Sequence, residues 1–169
     1  FILLNDIELP TAETGTSNFK PLFDDVNQFN GIFDGNGKTI SNITMINEET
    51  FFTGLFAYVG SDGAVKNLKL NNMNVAGTNY IGGLCGYNLG SITNCEVSVN
   101  ITYIKSNDYK VYAGGIAGRA AGCMDNNISS GTITVENTSN ETYIGGLTGF
   151  FEGNSVVNAS SSSGIKAVF

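Results

Sequence analysis

Histidine is absent from this chain of 169 residues. That excludes a Ser-His-Asp or Cys-His catalytic set and the usual histidine-based zinc site. Charge is scarce as well: Asp, Glu, Lys and Arg together make 14% of the residues, so solubility rests on Asn, Ser and Thr. Arg119 is the only arginine, and eight basic residues against fifteen acidic ones leave a net charge of −7. Nucleic-acid binding needs clustered Lys and Arg to displace counterions, and this balance argues against it. No apolar run approaches the roughly 18 residues that a membrane-spanning helix needs. The three cysteines, Cys85, Cys95 and Cys123, form no Cys-x-x-Cys pair and leave at least one thiol unpaired. The chain opens on Phe1-Ile2-Leu3-Leu4 with neither an initiator Met nor a basic leader, the start expected of a mature or excised segment.

What the chain has in abundance is glycine, 22 residues of it, with only two prolines. There is no Gly-x-y triplet, which excludes collagen, and the 41% of hydrophobic residues is too much for a linker. Glycine placed periodically inside strand-like runs signals tight turns or close backbone approach. The clearest such run is 80–101, YIGGLCGYNLGSITNCEVSVNI, in which a glycine pair, a third glycine and a glycine turn precede a strand of period two. Upstream, Leu4 to Leu9 alternates as a strand that Pro10 stops. Residues 11–29 read as loop with apolar anchors, and Asp34-Gly35-Asn36-Gly37 supplies a turn with positive-φ residues.

The pattern repeats. An apolar-x-Asn triplet ends at Asn42, Asn67, Asn94, Asn126 and Asn158, with separations of 25, 27, 32 and 32 residues. Ahead of the last four lies a glycine-hydrophobe signature, seen as Gly54-Leu55-Phe56, Gly83-Leu84-Cys85, Gly115-Ile116-Ala117 and Gly146-Leu147-Thr148. No window sustains a helical apolar stripe, and the repeats are too short for the blade of about 40 residues that a propeller needs. The expected fold is therefore all-β: a right-handed parallel β-helix of about five stacked coils forming one domain, 1–169, with an N-terminal strand and capping loops over 1–30 and repeat coils over 31–169. Equivalent side chains then stack about 4.8 Å apart. Asn42, Asn67, Asn94, Asn126 and Asn158 are expected to form one structural ladder. The core is expected to stack Leu55, Leu84, Ile116 and Leu147 in one column and Ile40, Val65, Ile92, Met124 and Val156 in another. Gly83, Gly115 and Gly146 mark a bend.

GGLCGYNLGSITNCEV resembles the GLUG motif of bacterial cell-surface and secreted proteins, whose usual form is close to G-G-L-x-G-x-x-x-G-x-I-x-N-C. GIFDGNGKTISNITM followed by GLFAYV is similar to the segment that commonly precedes those repeats, and FILLNDIEL to the strand that opens the region. The third copy departs at Cys123-Met124 and Asn126-Asn127, and the fourth is one residue longer before Asn158. The resemblance implies a β-solenoid in adhesin-like extracellular proteins, some with a protease domain elsewhere in the polypeptide. It implies no activity for the repeats.

Each chemistry-bearing residue also has a plainer structural role open to it. Asp24, Asp25 and Asp34 with Asn36 read as a calcium loop or as ordinary turns, the turns being favoured by the spacing. The acids Asp62, Asp108, Asp125 and Glu152 scatter, which disfavours the paired carboxylates of a polysaccharide-active enzyme. Arg119 and Asp125 share a coil and read as a solvated ion pair. No catalytic, cofactor-binding or metal-ligating set is expected. Cys95 should point inward as a small hydrophobe, with Cys85 in the column of Phe56, Ala117 and Thr148; buried free thiols are favoured over a Cys85–Cys95 disulfide. Six N-x-S/T sequons begin at Asn42, Asn100, Asn127, Asn137, Asn140 and Asn158, of which Asn100, Asn137 and Asn140 are the candidate glycosylation sites. Tyr58, Tyr87, Phe150 and Phe151 either line a sugar-stacking flank or cover a bend or a neighbouring domain, the latter being favoured.

The functional expectation is a non-enzymatic extracellular or cell-surface module, a stalk or adhesive surface displaying the loops 104–110 and 136–141. Its partner is expected to be a host-surface or extracellular-matrix ligand, with a glycan as one candidate. The alternatives are a filament subunit that self-associates through exposed solenoid ends and, ranked last, a polysaccharide-active β-helix enzyme.

Overall fold

The computed structural model describes residues 1–104, 109–136 and 141–152, together with the strands Val156–Asn158, Ser161–Ser162 and Lys166–Val168. Every strand pairing is parallel and no helix occurs among the described residues. The strands stack as a β-solenoid of about 4 turns. Four sheets run along its length. The first comprises Phe52–Thr53, Tyr80–Gly82, Val111–Gly114 and Thr142–Gly145; the second comprises Phe56–Val59, Cys85–Asn88, Ala117–Ala120 and Thr148–Phe151. The third holds Ile32–Asp34, Ala64–Lys66, Ser91–Thr93, Cys123–Asp125 and Val156–Asn158. The fourth and broadest is built on Lys69–Gly77, Glu96–Tyr103 and Ile128–Thr134, with Thr39–Ser41 and Thr44–Ile46 before them and Ile7–Glu8 at its outer edge.

Local chemistry sets the corners. Between the first and second sheets the chain turns so tightly that a Cβ on Gly82 would lie 2.1 Å from the Cys85 carbonyl oxygen, and one on Gly83 2.6 Å from the Gly115 oxygen. Only glycine fits where backbone meets backbone at that range. Between the third and fourth sheets the corner residue takes a left-handed conformation, with φ of 53° at Asn67, 53° at Asn94 and 50° at Asn126. Asparagine tolerates this region better than most residues. The amide side chains then join the coils: Asn126 Nδ2 donates to Asn94 Oδ1 at 2.7 Å, and Asn94 Nδ2 to Asn67 Oδ1 at 3.3 Å.

Asn42 stands in a different column. Ile40 pairs with Leu70 and Ser41 with Asn71 on the fourth sheet, and Asn42 Oδ1 accepts a hydrogen bond from Asn72 at 2.8 Å. Asn72 (φ 53°) sits at the bulge where the pairing of Lys69–Gly77 with Glu96–Tyr103 shifts register. The corner below Asn67 is instead formed by Gly35, where a Cβ would lie 2.5 Å from the Asn67 carbonyl oxygen and no asparagine fits. Asp34 ends the ladder, accepting from Asn67 Nδ2 at 3.0 Å. At the other end, Asn158 pairs with Asp125 rather than Asn126. The offset between partners is 31 at Arg119 and Phe150 but 33 at Cys123 and Val156, so by register the segment between these pairs is two residues longer than in the preceding coil.

The core is one continuous cluster. Leu55, Leu84 and Ile116 are fully buried in one column, with Leu147 partly buried at its end. Each fully buried side chain of this kind contributes roughly 1.5–3 kcal/mol of transfer free energy. On the third sheet the column runs Phe33, Val65, Ile92 and Met124, and the register partner of Met124 is Val157, not Val156; Ile40 belongs to the fourth sheet. At the N-terminal end Phe29 closes the core, its ring 4.9 Å from Phe56 and 5.1 Å from Phe23.

Candidate contact surface on the aromatic flank

The most organised set of side chains outside the core lies along the junction of the first and second sheets. Phe52, Tyr80, Tyr112 and Tyr143 are register partners on successive coils of the first sheet. Their ring centroids are 4.8, 5.0 and 5.0 Å apart, with interplanar angles of 18°, 5° and 7°. That spacing is the distance between hydrogen-bonded strands, so backbone stacking itself places the rings in van der Waals contact. The signal was present in the sequence: an aromatic residue stands two positions before the bend glycine in Phe52-Thr53-Gly54, Tyr80-Ile81-Gly82, Tyr112-Ala113-Gly114 and Tyr143-Ile144-Gly145. The flank expected from the sequence omitted this row.

A second row runs beside it on the second sheet, in the register Tyr58, Tyr87, Arg119 and Phe150. Phe151 belongs to the neighbouring column with Val59, Asn88 and Ala120, because successive strand residues point to opposite faces. The rows interlock: Tyr58 meets Phe52 at 5.2 Å and Phe150 meets Tyr112 at 5.8 Å, both edge to face. Arg119 occupies the position where the other coils carry a ring. Its Cζ lies 5.4 Å from Tyr87, 5.7 Å from Tyr112 and 5.5 Å from Phe150. Such contacts are worth about 0.5–1 kcal/mol each at exposed sites.

Arg119 pairs with Glu152 (Nε to Oε1, 2.6 Å), not with Asp125. Tyr87 donates its phenol proton to the same carboxylate. Burial, and then this hydrogen bond to Glu152, pushes the Tyr87 phenol far above its ordinary value. Burial also raises the Tyr58 and Tyr112 phenols. These groups hold their protons through neutral pH, which suits hydrogen bonding and packing and not proton transfer.

Two of the acids selected in the sequence, Asp34 and Asp24, have structural partners, and Asp108 lies outside the described residues. Asp34 accepts from Asn36 N at 2.8 Å and Asn67 Nδ2 at 3.0 Å and pairs with Lys66 at 3.3 Å. Asp24 accepts from Val26 N at 3.0 Å and from Asn27 N at 2.5 Å, so both acids close turns. The hydrogen bond from Asn67, followed by that from Asn36, holds the Asp34 carboxyl below its ordinary value. Among the described residues no group of three His, Cys, Asp or Glu side chains converges on a common point.

Cys85 and Cys95 are buried free thiols and Cys123 is a half-buried one. Burial raises Cys95 to about 11 and Cys85 further still. Asn127, directly after the corner Asn126, is fully buried in the Cys95 column, accepting from Cys95 N at 3.0 Å and donating to the Ile92 carbonyl at 2.8 Å.

Asn100 is exposed but tied into a row across the fourth sheet, donating to Asn74 Oδ1 at 3.3 Å and accepting from Thr132 Oγ1 at 2.8 Å. Asn137 and Asn140, and most of the two display loops, lie outside the described residues.

Beside the first-sheet row lie two connected grooves. One, of about 350 Å³, is lined by Phe51, Phe52, Tyr80 and Tyr112 with Asn79 and Asp25 among its polar groups; the other, of about 720 Å³, shares Asp25, Phe51 and Phe52 with it. Asn79 is the most deeply buried polar group in the first.

Comparison with known proteins agrees with this architecture at its centre. Residues 77–102 match the family model described as the GLUG motif. Halomucin of Haloquadratum walsbyi is 35% identical over 105 residues, which is 62% of this chain and 1% of that protein. A Gly-rich membrane protein of Evansella cellulosilytica is 33% identical over 103 residues, 59% of this chain and 12% of that protein. The chain therefore spans a small part of the length of either relative. Among the described residues no helix is long and apolar enough to cross a membrane, and no solved structure matches. The chain carries the GLUG motif in the coil that runs from Tyr80 to Tyr103, and about three fifths of its length is similar to segments of the two relatives.

Proposed function

We propose that this chain is a non-enzymatic structural module of an extracellular or cell-surface protein, one whose lateral face makes adhesive contacts. The observation that carries the reading is the parallel stacking of four sheets, coil on coil, around one core. Such a solenoid is stiff along its axis and repeats the same surface on each coil. The names of the two relatives support a surface setting, and the small share of each that is covered supports a piece of a longer stalk. The carboxylates Asp34, Glu96, Glu141 and Glu152 each pair with a cation, which supports a structural role for them over acid–base work. On this reading 1–169 is a single domain and 1–30 its cap.

The test is to immobilise the chain and present a panel of extracellular polysaccharides and matrix proteins while assaying for released product. Retention of a ligand without turnover is the expected result. Release of product from any polysaccharide overturns the reading, and concentration-dependent fibres in negative stain would replace it with a filament subunit.

A further inference from the structure

The smaller groove has the chemistry of a receptor for one kind of group. Phe52, Tyr80 and Tyr112 form one wall, and Phe51 and Tyr109, meeting edge to face at 5.0 Å and 73°, form another. Both of these rim rings are exposed, at 45% and 54%. The polar lining is Asp25, Asn79 and Lys110. Asn79 is 2% exposed, and its Nδ2 donates to the Lys110 carbonyl at 3.1 Å, yet its Oδ1 receives no hydrogen bond. Asn79 Oδ1 itself is closed off from the groove, so a ligand's donor meets it only when the side chain turns outward, a turn that pairing of the buried acceptor would favour.

The charge around that acceptor narrows the donor. Lys110 is taken up by Glu141, so it contributes no free positive charge. Asp25 also lines the larger neighbouring groove, where Asp24, Glu48 and Glu49 stand against Lys20. The combined wall thus carries four carboxylates against one unpaired lysine, on a chain whose net charge is −7. A cation is favoured there, and an anionic ligand is opposed.

Geometry separates two kinds of donor. A sugar stacks its C–H face on an open aromatic face, but the faces of Phe52, Tyr80 and Tyr112 cover one another at 4.8 and 5.0 Å. What the row offers is ring edges, an apolar strip suited to a methylene stem. A lysine side chain lays its stem on such a strip and extends its ammonium to acceptors. The ammonium has three donors and no acceptor, which matches Asn79 Oδ1 and the Asp25 carboxylate.

We propose that this groove binds a lysine side chain from an extended basic segment of a partner protein. The stem lies on Phe52, Tyr80 and Tyr112, and the amine is held by the exposed Asp25 carboxylate, with Asn79 Oδ1 turning outward to accept from it. The flanking residues of the segment run along Asp24, Glu48 and Glu49. This inference rests on reading the module as a contact surface and names the chemistry of its partner.

The experiment is an NMR titration of the isotopically labelled whole chain with a short glycine-lysine copolymer peptide, its fully Nε-acetylated counterpart, and glucose. The lysine peptide is expected to shift the Asn79 side-chain amide and the Tyr80 and Tyr112 ring signals. Acetylation, the exposed-site substitution Asp25→Asn, and Tyr109→Ala should each weaken it about tenfold, and raising salt to about 0.5 M should weaken it as well. Equal binding of the acetylated peptide, the same shifts with glucose alone, or no shift at about 10 mM peptide with the spectrum otherwise folded overturns it. A positive result in the ligand panel alongside a negative titration would leave the module reading standing and remove only the lysine groove.

Discussion

Asn94 and Asn126 are joined side chain to side chain at 2.7 Å across two coils, each in a left-handed backbone conformation that few residues accept. Asn94 also donates to Asn67, so one side chain serves both neighbours. Asn94→Ala removes two hydrogen bonds and places a Cβ-bearing residue without a compensating amide at φ 53°. The expected loss is about 2–3 kcal/mol in urea unfolding, at roughly 1 kcal/mol per bond plus the backbone term. Asn94→Gly should lose about 1 kcal/mol less, because glycine accepts the conformation. Equal losses for the two variants would show that the backbone conformation is unimportant.

Asp34 terminates that ladder, and its carboxyl titrates below the ordinary value of 3.8 because Asn67 and then Asn36 hydrogen-bond the charged form. A depressed folded-state pKa stabilises fully above the unfolded value, and that contribution disappears as pH falls through the lower folded value. Thermal unfolding of wild type and Asp34→Asn should therefore differ at pH 6 to 7 (about two to three units above the ordinary value) and converge as pH falls below it. A difference independent of pH would mean that the charge of Asp34 plays no part.

Thiol chemistry separates the three cysteines. Burial holds Cys95 protonated up to about 11 and Cys85 beyond, whereas Cys123 is half-buried. A thiol reagent at about pH 8, near the free-cysteine value, should label Cys123 rapidly. Cys85 and Cys95 should react only when urea opens the core. Rapid labelling of all three in native buffer would contradict the packing described.

The stacked rings carry stability as well as surface. Tyr112 contacts Tyr80 and Tyr143 at 5.0 Å each and lies near Arg119. Tyr112→Ala should cost about 3 kcal/mol and weaken the near-ultraviolet circular dichroism of the whole row. Tyr112→Phe should retain most of both, since stacking does not require the hydroxyl. A loss of similar size in the phenylalanine variant would assign the effect to a hydrogen bond instead.

Much of this fold was legible in the sequence because its repeat is written in residues with a steric reason to recur. The glycine pair at Gly82-Gly83 and the corner asparagines Asn94 and Asn126 occupy positions that few other residues can fill, so their spacing reports the coil. Legibility failed where another residue met the same need. Gly35 turns the corner below Asn67 by being small, which left the triplet ending in Asn42 as a decoy; that triplet belongs to the bulge opposite Asn72. Asn158 falls opposite Asp125 because the segment before it is two residues longer than in the preceding coil, and pairing, not motif, sets register.

On the flank, the aromatic residue two positions before each bend glycine is visible in the sequence at Tyr80 and Tyr112, but its meaning as a stacked row follows from register and not from local composition. The unpaired Oδ1 of Asn79 has no sequence signature at all, because satisfaction of a polar atom depends on what the fold brings beside it.

Parallel in-register stacking underlies every part of this account, and engineered cross-links test it most directly. Asn74 and Asn100 are Cα partners on adjacent coils of the fourth sheet, and both are exposed. In a background with the native cysteines replaced, Asn74→Cys with Asn100→Cys should oxidise readily to an intramolecular disulfide. The offset pair Asn74→Cys with Thr102→Cys should not, since it lies two strand residues, about 6–7 Å, out of register. Cross-linking of the offset pair in place of the matched one would contradict the stacked solenoid.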